Sequence, residues 1–111
     1  MSFRVTVLPR AESDIERNAA WWADHHSPEQ AVQWLRSIRD QLDSLRDFPE
    51  SHALSSENDR FSYEIRDKLV GLGSRPRYRA VFTIKEDEVF VLTVRAAEED
   101  QLMPGDLEFE S

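Results

Sequence analysis

The chain has no cysteine, so disulfide bridges, thiolate zinc sites and thiol nucleophiles are excluded by composition alone. It has no apolar run long enough to span a membrane. Its first residues, Met1-Ser2-Phe3-Arg4-Val5, show neither the basic start nor the apolar stretch and small-residue cleavage site of a secretory signal. A soluble, cytoplasmic protein that makes no membrane contact is the resulting expectation. No internal repeat is present. Gly71-x-Gly73 lacks the strand-loop-helix setting of a phosphate cradle. The adjacent His25 and His26 would project about a hundred degrees apart on a helix, which prevents them from sharing a metal ion. Neither a cofactor nor a metal is expected.

The 111 residues, 40% of them hydrophobic, suffice for one domain with one modest core. Fourteen Lys and Arg face 22 Asp and Glu, a net charge of -8, which repels a phosphate backbone unless basic residues are locally concentrated. The charge is unevenly spread. Between Arg60 and Arg95 eight basic residues outnumber five acidic ones, and Arg75, Arg77 and Arg79 fall within five positions around Pro76. Residues 98–111 hold six acidic residues and no basic one, with Pro104-Gly105 among them. That composition favours a loosely ordered tail and divides the chain into a domain at 1–97 and an acidic extension at 98–111.

Phe3, Val5 and Val7 alternate with Arg4 and Thr6, the period-two pattern of a strand over about residues 2–8 that Pro9 closes. Ile15, Ala19, Trp22 and His26 then recur at helical spacing behind Glu12, Asp14 and Glu16, which place negative charge in the first turn. Ser27-Pro28-Glu29-Gln30 reads as a second helix start, with Ser27 as cap, Pro28 at the first helical position and Gln30 at capping-box spacing. Ala31, Leu35, Ile38, Leu42 and Leu45 make one stripe that Pro49 follows. Two helices joined this closely form an antiparallel hairpin. Residues 50–60 are polar and aperiodic, a mobile loop. Three β-type runs come next: Phe61 toward Val70, Tyr78 to Ile84, and Val89 to Val94, in the order of an antiparallel meander. The near-continuous apolar run Val89-Phe90-Val91-Leu92-Thr93-Val94 places the last strand inside the sheet. The fold class is α+β, in the order β-α-α-β-β-β.

Several landmarks carry a family resemblance. They are Ala11 and Asp14-Ile15; Ser27-Pro28-Glu29-Gln30-Ala31 with Trp34 and Ile38; Leu45-Arg46-Asp47-Phe48-Pro49; Ile65-Arg66; Arg77-Tyr78-Arg79-Ala80-Val81-Phe82; and the run from Val89 to Val94. In this order they resemble the RelE/ParE toxin family over about residues 3–100. The resemblance implies the toxin half of a type II toxin-antitoxin pair, as in plasmid stabilisation, held silent by a cognate antitoxin. Two activities occur in that family: ribosome-dependent cleavage of messenger RNA and inhibition of DNA gyrase. A third reading is a non-toxic interaction module on the same fold.

For an RNA-cleaving member, the resemblance makes Arg66, Arg79 and Arg95 the catalytic candidates, with Arg79 where the family's sheet arginine stands. The departure lies after the last strand. Arg95-Ala96-Ala97-Glu98-Glu99-Asp100 carries no further basic residue, no tyrosine follows Tyr78 and no histidine follows His52. Alanines and acids supply neither a general acid at neutral pH nor a phosphate clamp. The ParE-like, gyrase-inhibiting branch needs a binding surface and loses less. For that surface the candidates are Trp21, whose neighbour Trp22 better suits the core, and Arg75 and Arg77 of the basic turn.

Overall fold

A computed structural model describes residues 2–73, 77–98 and 104–107. Four strands, β1 (Arg4–Val7), β2 (Arg66–Val70), β3 (Tyr78–Lys85) and β4 (Glu88–Ala96), form one sheet in the order β1-β4-β3-β2. Two helices, α1 (Pro9–His25) and α2 (Pro28–Asp43), pack as a hairpin on one face. The α+β class and the chain order stand as read from the sequence. The sheet is a meander from β2 to β4, but β1 joins β4 in parallel, pairing Arg4 with Glu88 through Val7 with Val91. The sheet is therefore mixed, and β4 is internal.

Helix boundaries follow local chemistry. Pro9 does not merely end β1. It opens α1 directly, where its fixed φ suits the first turn and its missing N–H costs nothing. Ser27 caps α2 as expected, its Oγ accepting from the backbone N–H of Gln30 at 3.1 Å. Across the hairpin, Arg39 forks onto Glu12 with two bonds of 2.7 Å. That pairing holds the Glu12 carboxyl below its usual range. The stripe of α2 sends Trp34, Ile38 and Leu42 into the core between helices and sheet. There they meet Ala11 and Ile15 of α1 and Tyr78, Ala80, Phe82, Val89, Val91 and Val94 of the sheet.

The strand expected from Phe61 begins only at Arg66. Between them the backbone is bonded elsewhere: Ile65 N–H donates to Asn58 Oδ1 at 2.8 Å, and the Glu64 carbonyl accepts from Thr83 Oγ1 at 2.7 Å. Phe61 and Tyr63, edge to face at 5.7 Å, spend their alternation on packing. They flank a second apolar cluster of Ile65, Val81, Leu92 and Leu107 on the sheet face away from the helices. Residues 50–60 likewise depart from a featureless loop. They contain two short 3-10 turns, and Ser55 and Glu57 are buried. Within the acidic extension, Leu107 is 8% exposed in the second cluster, and Arg10 Nη1 donates to the Asp106 carbonyl at 2.8 Å. Asp106 and Leu107 are thus seated against the domain; residues 99–103 and 108–111 of the extension expected to be loosely ordered lie outside the described residues.

Both flanks of the sheet are closed by something other than a strand. β1 ends opposite Val91, where the register on β3 steps between Val81 and Phe82 and leaves Leu92 as the extra residue of a bulge. Beyond that point Asp14 of α1 takes over: its carboxylate accepts from the Val94 N–H at 3.2 Å and from the Thr93 hydroxyl. Arg17 at 2.9 Å and Arg10 at 3.4 Å complete the shell of this buried acid. On the β2 side, Asp67 N–H donates to the Ala53 carbonyl and the Ile65 carbonyl accepts from Ser55, so odd-numbered residues turn their backbone groups outward. Gly71, next in that series but one, is held by α2: its carbonyl accepts from Gln41 Nε2 at 2.7 Å and Ser37 Oγ at 3.0 Å, and its N–H donates to Gln41 Oε1 at 3.2 Å.

Candidate functional site

Two places gather the residues singled out from the sequence. The first is the sheet face away from the helices. Register pairing puts Arg79 directly across from Arg95 on β4 and from Leu69 on β2, and paired residues share a face. Arg66 pairs with Phe82, a residue of the helix-side core. It therefore points to the opposite side, where its Nη1 donates to the carbonyls of His52 and Glu50. The three arginines do lie on neighbouring strands, yet only Arg79 and Arg95 are brought together.

Arg79 is not presented to solvent. It is 7% exposed, with Nη1 and Nη2 forked onto Glu57 at 2.6 and 2.9 Å and a further bond from Nη1 to Asp67 at 3.1 Å. Such bidentate, charge-assisted geometry is the strong form of the interaction. The bond to Glu57 raises the arginine's pKa further. Burial pushes the Asp67 carboxyl above its usual range, and Arg79's charge pulls only part of that back. Burial likewise lowers His52, with Lys68 and Arg66 adding to the effect. His52 sits edge to face on Phe82 at 5.8 Å, on the helix side. Glu57, the decisive partner, came from a stretch with no periodic signal. Only a buried arginine's need for a counter-charge points to it.

The second place is the tip of the helical hairpin. Trp21 and Trp22 carry histidines one helical turn on, and each pair stacks with ring centroids 4.4 Å apart: Trp21 on His25 and Trp22 on His26. The adjacent histidines thus serve as aromatic supports at i,i+4 spacing. Trp22 Nε1–H donates to Tyr78 Oη at 3.1 Å, while Trp21 stays 45% exposed. Trp21 and Arg77, chosen separately from the sequence, line one cavity with Trp22, His26 and Tyr78. Arg75 lies outside the described residues. No described helix is long and apolar enough to cross a membrane.

A family model described as the ParE toxin of a type II toxin-antitoxin system, parDE, matches residues 5–101. A solved structure titled "Chromosomal ParDE TA system from P. aeruginosa" is similar in fold. It has a TM-score of 0.72 at 19% identity, over 87% of this chain and 98% of the other. No curated protein matches.

Proposed function

Because the chain belongs to the ParE toxin family of type II toxin-antitoxin systems, we propose that it arrests growth by binding a protein target, DNA gyrase, in the cytoplasm, and that a cognate antitoxin silences it. One observation carries the choice of target. Arg79, the residue that the RNA-cleaving reading needs most, is buried and neutralised by Glu57 and Asp67. An arginine buried to 7% exposure with both Nη groups committed to carboxylates is not presented to a scissile phosphate, and catalysis by charge stabilisation requires donors aimed at the developing charge. Arg66 lies on the far side of the sheet from Arg79 and Arg95, so the three form no common cleft. Nor does a tyrosine, a histidine or a further basic residue follow β4 in this sequence.

In this reading the domain at 1–97 is the toxin proper, and Trp21, Arg77 and Arg75 belong to its partner-binding surface. The test uses purified full-length protein in two assays. Supercoiling by gyrase is expected to slow with increasing toxin, and to recover when antitoxin is added. Programmed ribosomes are expected to leave their messenger intact. Site-specific cleavage of the transcript that disappears in Arg79→Ala would overturn the proposal, as would unimpeded supercoiling at toxin in large excess over gyrase.

A further inference from the structure

The cavity at the hairpin tip has a volume of about 560 Å³, within the range of preformed binding sites. Its lining is mainly aromatic, and the polar tips of Trp22 and Tyr78 are spent on each other. Trp21 forms a wall that is already ordered, stacked on His25 and set edge-on to Trp22 at 5.9 Å. An aromatic fixed before binding loses little entropy when covered, which is the character of an interface anchor. The rim carries one charge of each sign, Arg77 just before β3 and Glu98 just after β4.

These features discriminate among occupants. A polyanion such as a nucleic-acid backbone gains Arg77 but meets Glu98. A protein segment that offers a bulky apolar side chain with a single carboxylate beside it gains the aromatic walls and Arg77 together. We propose that the cavity is the anchor point for the antitoxin, taking one bulky apolar side chain whose neighbouring carboxylate is held by Arg77. The inference rests on the toxin-antitoxin reading above and specifies where and by what chemistry that pairing is made. Of the two partners proposed above, an antitoxin that silences the toxin has to stay on it, and a half-exposed tryptophan in the cavity lining suits a surface kept covered.

Affinity for antitoxin purified by co-expression with the full chain is compared among wild type, Trp21→Ala and Arg77→Gln, with folding of each checked by circular dichroism. Losses of about tenfold or more for Trp21→Ala and about threefold or more for Arg77→Gln are expected. A defined probe isolates the chemistry. N-acetyl-L-tryptophan should shift the indole N–H resonances of Trp21 and Trp22 while the core Trp34 responds least. Its amide analogue, without the carboxylate, should bind more weakly to wild type but equally to Arg77→Gln. Saturation with antitoxin should block the probe. The proposal is overturned if both variants bind antitoxin within twofold of wild type, or if the saturated complex still takes up the probe. Loss of gyrase inhibition in Trp21→Ala with antitoxin affinity intact also overturns it, and moves the cavity to the target's side. Wild type that binds no antitoxin at all overturns the pairing itself along with the anchor.

Discussion

Arg79 keeps its charge inside the protein because two carboxylates compensate it, and they do so unequally. Glu57 supplies the fork and is itself 3% exposed, whereas Asp67 gives one bond and is driven toward its neutral form by burial. Removing one member of a buried pair typically costs about 3–5 kcal/mol, since the remaining charge is left uncompensated. Glu57→Gln is expected at the low end, about 3 kcal/mol, because Asp67 stays in place. Asp67→Asn should cost less, because Asp67 accepts a single bond from Arg79 and its side chain is 25% exposed. Urea denaturation of the two variants checks the order, and equal losses would mean that the fork does not hold the arginine. Little of this was legible in the sequence. No spacing links Glu57 to Arg79, and which arginines share a face depends on strand register, which alternation within a single strand leaves undetermined.

The elements themselves were more readable, because their signals are local. Ser27-Pro28 marks the start of α2 by chemistry that needs no tertiary partner, and the stripe through Leu42 buries as its spacing requires. β2 was overread because Phe61 and Tyr63 alternate like strand residues while packing from irregular backbone. The parallel seat of β1 was unreadable, since it depends on where the chain returns. Least visible were the devices that close the sheet's flanks. Gln41 holds Gly71 with both ends of its amide, next to Leu69, which is 58% exposed. Gln41→Ala releases outward backbone groups beside that apolar side chain, the combination that recruits another edge. A loss of about 1 kcal/mol is expected from the missing bonds, together with concentration-dependent self-association in light scattering. A variant that stays monomeric at the highest concentrations would show that the loop pairing at Ala53 and Ser55 protects the edge alone.

At the scale of the whole molecule, the charge split between domain and extension was plain in the sequence. The docking of Leu107 was not, because it is one of two leucines, with Leu102, in an acidic stretch that sustains no period. The same scale makes sense of β1. Arg4 pairs with Glu88 and Val7 with Val91, while Asp14 of α1 closes the remainder of β4, so β1 has no strand to join until β4 has been made. Contacts this distant in sequence slow folding, because loop closure precedes any reward from pairing. A fragment ending at Asp87 retains the helical hairpin sequence and the β2 and β3 segments but lacks the strand that both flanks of the core require. It is expected to show residual helix by circular dichroism without a cooperative thermal transition, and a sharp two-state melt of that fragment would refute the dependence. For a member of a toxin family, this wiring ties poisoning to a completed sheet: nothing made before β4 can yet carry the folded surface that a partner would recognise.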